Sequence, residues 1–114
     1  MDSYINTKNG YAVLHVLGKL DQPPVLEDLE KEMEKAWSKG GIDAAVDLRE
    51  ADYLDNTPDQ INGKFLMSLI RWNNRMADAG RKFKIIEPNP HSRQTLILLG
   101  LDKVLSICAA EKDL

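Results

Sequence analysis

Between Ala12 and Trp37 the hydrophobic period of the chain changes, and this change constrains the fold more than any other feature. Ala12–Leu20 is largely apolar and rich in valine and leucine. A strand with so few polar residues on either side predicts cover on both faces, as in α/β sheets. Asp21-Gln22-Pro23-Pro24 breaks the strand. From Val25 the spacing is helical: Leu26, Leu29, Met33, Ala36 and Trp37 share one face. Glu27, Glu30, Lys31, Glu34 and Lys35 fall mostly on the other, and Gly40-Gly41 closes the helix.

The alternation continues. Tyr4–Thr7 is a short strand, joined to Ala12–Leu20 by a Lys8-Asn9-Gly10 turn, and Asn-Gly between strand-like runs is a strong hairpin signal. Ile42–Leu48 is a third strand, interrupted by Asp47. Arg49–Asp52 reads as a polar link, and Tyr53-Leu54 is apolar again. A helix follows from Thr57 to about Ala79, closed by Gly80. Lys82–Glu87 is a fourth strand. Asn89-Pro90 looks like a helix start, Arg93–Leu99 a short helix stopped by Gly100, and Val104–Ala109 the last strand. The order β-β-α-β-α-β-α-β predicts a mixed, mostly parallel sheet with an antiparallel hairpin at its start. At 114 residues the chain suffices for one domain, 1–114, and not for two.

Composition narrows the function classes. A net charge of −3 argues against non-specific nucleic-acid binding. Neither AVLHVLGKL nor LILLGL approaches the ~20 residues of a membrane span. MDSYINTKNG lacks the basic-then-apolar layout of a signal peptide, and Cys108 is the single cysteine, so no internal disulfide forms. These features predict a cytoplasmic protein.

In "DNTPDQ" (55–60), Thr57 suits a helix N-cap, with Pro58 at the first helical position and Gln60 completing a capping box. Asp59 adds a negative charge near the helix N-terminus. That leaves Asp55 and Asn56 without a local role. Ligand sites in open α/β sheets lie beyond the strand carboxyl ends. Asp21 and Asp55 both follow strands, and they share a rim if those strands are neighbours. Two carboxylates suit Mg²⁺ binding or acid–base work, but no phosphate loop, nucleophile elbow or HExxH accompanies them. The expectation is therefore no enzyme, no cofactor and no metal. The spacing of His15, His91 and Cys108 matches no zinc pattern. His15 is expected packed and hydrogen-bonded, and Cys108 buried as a small hydrophobe.

On the long helix, Ile61, Phe65, Leu69, Trp72 and Met76 form one stripe, which Leu66 and Ile70 widen to nearly half the circumference. The surplus is either core or a contact surface for a partner or a second copy. Lys64, Arg71 and Arg75 make a basic stripe opposite, read as a solvated face.

Taken together, "GKLD" (18–21), "VDLREADYLDNT" (46–57) and "GRKFKIIEPNPHSRQTLILLGLDKVLSI" (80–107) resemble the STAS domain, in particular the bacterial anti-sigma-factor antagonists. The resemblance covers nearly the whole chain. It implies helices packed mainly on one face of the sheet, and a partner-switching role. In that scheme the antagonist binds an anti-sigma factor of the serine-kinase type, which phosphorylates a serine after the Asp of a D-S-S/T-G motif and so ends binding. Here Asn56 stands at the acceptor position, Thr57 retains the following hydroxyl, and Pro58 replaces the glycine. Asn56 cannot accept phosphate as serine does, and Thr57 is the weaker alternative acceptor. The stretch from Asp55 to Gly80 exceeds the family pattern by roughly two helical turns. The resemblance marks Asp21, Asp55, Asn56 and Thr57 as the partner-binding rim, and Leu66 and Ile70 stay open as contact surface. Two other readings stand beside it: a STAS subunit of a larger assembly, such as a stressosome-like scaffold or a lipid-transport complex, and a small-molecule binder or enzyme at the strand ends.

Overall fold

Asn9 and Gly10 turn the chain back on itself with φ of 52° and 83°. Both are left-handed, the conformation that matches a two-residue hairpin turn to the twist of its strands. The computed structural model describes residues 2–20, 22–38, 42–53 and 63–114. Strands β1 (Asp2–Lys8) and β2 (Tyr11–Lys19) flank the turn and pair antiparallel, from Asp2↔Leu17 to Lys8↔Tyr11. β1 is longer than Tyr4–Thr7 because its outer residues, Asp2, Ser3 and Lys8, are polar and carry no hydrophobic signal.

The chain continues through α1 (Pro23–Trp37), β3 (Asp43–Asp52), α2 (Gly63–Asp78), β4 (Phe83–Ile86), α3 (Pro90–Leu98) and β5 (Ser106–Cys108). The sheet order is β1-β2-β3-β4-β5, and β2 to β5 pair in parallel. Each crossover moves one strand further in the same direction. Right-handed crossovers then place every helix on the same side. This is the mixed sheet that the alternation predicts, with the helices on one face that the STAS resemblance implies.

Several boundaries differ from the sequence reading. The prolines at 23 and 24 occupy the first helical positions of α1 after Gln22, where a missing N–H costs no helical bond. Arg49–Asp52 is not a link: β3 runs through it, paired with β2 beyond a register shift between His15 and Leu17. Asp47 stays in the strand. α3 starts at Pro90, because the Asn89 side chain accepts the His91 and Ser92 N–H groups. β5 is shorter than Val104–Ala109, since Val104 and Leu105 bond back onto a 3₁₀ turn at Leu101–Lys103. α2 ends with Gly80 at φ 69°, the Gly80 N–H on Ala77 O and Arg81 N–H on Met76 O, a Schellman closure. The expected cap at Thr57 lies outside the described residues.

The helix-side core packs Leu14, Val16, Val46, Leu48 and Ile85 of the sheet against Leu29, Met33, Trp37, Phe65, Leu69, Trp72 and Leu96. Trp37 is its pivot. Its ring meets Trp72 and Phe83 edge-on at 5.2 Å, and its indole N–H donates to Ala12 O at 3.0 Å. Each such side chain, fully buried, contributes roughly 1.5–3 kcal/mol. The basic stripe is not simply solvated. Arg71 pairs with Glu30 of α1, and Arg75 pairs with Glu34 at 2.5 Å while stacking on Trp72.

The other face has a small apolar set: Tyr11, Val13, Ala45 and Ile86, with Cys108 and Leu114 against them. A C-terminal 3₁₀ turn (Glu111–Asp113) follows β5. Lys84 Nζ donates to Asp113 O and Asn9 Nδ2 to Leu114 O, both at 3.4 Å, so this segment is held to the sheet. Cys108 is half-buried rather than buried, its thiol pushed up chiefly by burial. His15 is packed and hydrogen-bonded as expected, its Nδ1 2.9 Å from Asp47. No helix among the described residues is long and apolar enough to cross a membrane.

Candidate functional site

β2 and β3 run parallel and end together. Lys19 pairs with Asp52, and the Leu20 N–H donates to Asp52 O at 2.8 Å. The segments leaving the two strands therefore begin side by side, which is the condition for a shared rim. Leu20 and Tyr53 are buried at its base. Gly18, one residue before the paired ends, has φ 87°, which a side chain would strain. The predicted rim residues Asp21, Asp55, Asn56 and Thr57 lie outside the described residues.

Beneath this edge is a buried polar pair that the sequence reading did not single out. The Tyr53 hydroxyl donates to Glu87 Oε2 at 2.5 Å. Glu87 Oε1 accepts the Asn89 N–H at 2.9 Å, and Arg93 donates to the Glu87 carbonyl at 3.0 Å. Burial, the largest influence, pushes the Glu87 carboxyl above the usual range, against the lowering effect of the Tyr53 and Asn89 donors. Burial likewise raises Tyr53, reinforced by the hydrogen bond and charge of Glu87. Both side chains are sealed from solvent, so the pair braces the ends of β3 and β4 against α3. The available signal was a carboxylate closing an apolar strand, "KIIEPNP".

Two surfaces adjoin the edge. A groove of about 390 Å³ lies between α1 and the start of α2, lined by Leu26, Glu27, Glu30, Lys64, Met67 and Arg71 among others. Met67 is 59% exposed there. On the opposite flank of α2, Leu66 and Ile70 are half-buried, and Leu66 packs on the core. They share a row with Asn73, at i, i+4 and i+7, and Asn73 Nδ2 donates to Val104 O at 3.1 Å. That flank thus faces a segment where Ile97, Leu98, Leu99 and Val104 are all exposed.

No protein-family model matches the chain, and no curated protein is significantly similar to it. Solved structures do match. A crystal structure of an anti-sigma factor antagonist from Mycobacterium paratuberculosis superposes with TM-score 0.75 at 19% identity, over 98% of this chain and 88% of that one. This chain has the STAS-type fold of the anti-sigma-factor antagonists. The antagonist SpoIIAA in its unphosphorylated form gives TM-score 0.67 at 12% identity, covering 98% and 92% of the two chains. The Bacillus cell fate determinant SpoIIAA in its phosphorylated form gives 0.60 at 14%, covering 98% and 96%.

Proposed function

We propose that this chain is a protein-binding regulatory module acting as an anti-sigma-factor antagonist does, not as an enzyme. The observation that carries this reading is the fold shared with antagonists over 98% of the chain. The partner engages the rim of Asp21, Asp55, Asn56 and Thr57 and the adjoining α1–α2 groove. One of the matching proteins, SpoIIAA, has been solved in phosphorylated and unphosphorylated forms. Here Asn56 holds the acceptor position and offers amide donors and an acceptor, but no hydroxyl. The chain is therefore locked in the form that binds. A phosphate there would bring nearly two negative charges beside Asp55 and Asp21 and eject a partner.

The test is to capture the bound protein from the native host and identify it; a serine-kinase-type anti-sigma factor is expected. Incubated with that kinase and ATP, the chain gains no mass. Asn56→Asp weakens partner binding while the circular dichroism spectrum stays native. A phosphopeptide mapping to Thr57 would overturn the locked state and make Thr57 the switch. The exposed Ile97, Leu98, Leu99 and Val104 favour a second reading, a subunit of a larger assembly. Capture of a scaffold or transporter component in place of a kinase decides for it.

A further inference from the structure

On the helix-free face, three polar side-chain atoms from three separate elements converge. His15, buried in β2, directs Nδ1 at Asp47 Oδ2, 2.9 Å away. The other Asp47 oxygen accepts the Arg49 N–H at 2.9 Å, so this carboxylate is fixed. A carboxylate only accepts, so the bond to Asp47 places a hydrogen on Nδ1, and the tautomer with that hydrogen alone has its lone pair on Nε2. Tyr4 stacks on the ring at 4.2 Å, nearly parallel, and holds its plane. Nε2 then faces Asn6 Oδ1 of β1 at 2.6 Å and Glu111 Oε1 of the C-terminal turn at 3.3 Å. A hydrogen on Nε2 makes the Asn6 contact an ordinary hydrogen bond, and a metal ion in its place would draw on the same three atoms.

From this geometry we infer a divalent transition-metal site of the Zn²⁺ class, with His15 Nε2, Glu111 and Asn6 Oδ1 as ligands. The donor atoms of His15, Asp47 and Glu111 lie within 4.8 Å of one another. Mixed nitrogen and oxygen donors select Zn²⁺ or a neighbouring first-row ion over Mg²⁺, which takes oxygen alone. Asp47 is a positioning residue. Its bond to Nδ1–H fixes the tautomer and orients the ring, the arrangement usual behind a metal-bound histidine. Asp47 and Glu111 bring two carboxylates to the cluster, a donor set that suits a divalent ion. The adjoining pocket of about 80 Å³, rimmed by Val16, Leu17, Arg49 and Glu50, admits water as a further ligand. Because Glu111 belongs to the C-terminal turn and the other ligands to β1 and β2, the ion fastens that turn onto the sheet.

The experiment uses the full chain, stripped with a chelator and titrated at pH 7.5 with ZnCl₂ by calorimetry, and with Co²⁺ by visible absorption. One equivalent of Zn²⁺ is expected, with slowed amide exchange at 110–114. Glu111→Gln and His15→Gln should each weaken binding tenfold or more, and Asp47→Asn about tenfold. His91→Gln, at the exposed second histidine, should leave it unchanged. Glu111→Gln lies at the surface end of the cluster, so it keeps the test valid if a His15 variant fails to fold. Absence of saturable binding, or binding that survives Glu111→Gln, overturns the site. So does an NMR spectrum with Zn²⁺ present in which both ring nitrogens of His15 carry hydrogen, because a proton then fills the cradle.

Discussion

The sheet carries a buried polar pair on each side, and the two are finished differently. On the helix side, Tyr53 and Glu87 are closed in by α3, with a backbone donor on the second carboxylate oxygen. On the other side, His15 and Asp47 lie beside an open pocket, with Tyr4 and Asn6 of β1 and the short C-terminal turn near them rather than a helix. The difference follows from the crossovers. Successive right-handed steps put the three described helices on one face, and that face can seal what it buries. Among the described residues, the second face has a small apolar set, Tyr11, Val13, Ala45 and Ile86, and a few C-terminal residues against it. A sealed pair braces the fold, whereas an open one can be reached from solution.

The largest expected effect tests that asymmetry directly. Trp37→Ala removes the pivot of the covered face, its two edge-on ring contacts and the hydrogen bond to Ala12. A loss of about 3–5 kcal/mol is expected in urea denaturation. Leu114→Ala, on the thinly covered face, should cost less than about 1 kcal/mol. Comparable losses would mean that the C-terminal segment shares the main core, and the contrast between the faces would fail.

The sealed pair gives the next effect. Tyr53→Phe leaves Glu87 Oε2 buried without its donor and should destabilise the fold by about 1–3 kcal/mol. Its sign with pH can be worked out. Glu87 has a raised folded-state pKa, so the folded chain holds this proton more tightly than the unfolded chain. That stability is fully present below the ordinary carboxyl value of 4.5 and is lost as pH rises through the folded value. Glu87→Gln cannot ionise and should flatten this fall. Urea midpoints across pH 4 to 8 provide the check, and parallel profiles for the two proteins would place the titration elsewhere.

Much of the covered face was legible in the sequence. Leu29, Met33, Leu69 and Trp72 repeat at helical spacing, Ala12–Leu20 is largely apolar, and Asn9-Gly10 marks the hairpin. What was not legible depends on register. Asp47 reads as an interruption of a strand until β2 and β3 pair in parallel and bring it opposite His15. Glu111 lies 96 residues from His15, and no local pattern links them. Arg49–Asp52 reads as a link because exposed strand ends lack hydrophobic alternation. The rim was inferred from a motif resemblance and from the rule for strand ends, and only its base is described.

The smallest effect lies on the outside of the covered face, where Arg71 and Arg75 reach across to α1. The two look alike in sequence, one helical turn apart, with Glu30 and Glu34 spaced the same way opposite. Their surroundings differ. Arg71 is 55% exposed and reaches Glu30 and Ser68, so solvent screens most of the attraction. Arg75 is 47% exposed, but its guanidinium also lies 4.0 Å from the centroid of Trp72, whose ring is buried. A cation over an aromatic face adds about 0.5–1 kcal/mol at an exposed position. Arg71→Ala should therefore shift stability by about 0.5 kcal/mol or less, and Arg75→Ala by about 1 kcal/mol. Raising salt to 1 M should shrink the first loss towards zero and leave a measurable part of the second, because the contact with Trp72 is short and partly shielded. Equal losses that vanish together in salt would mean that both arginines act only as surface charges. The outer layer of the covered face would then be no better anchored than the open face opposite.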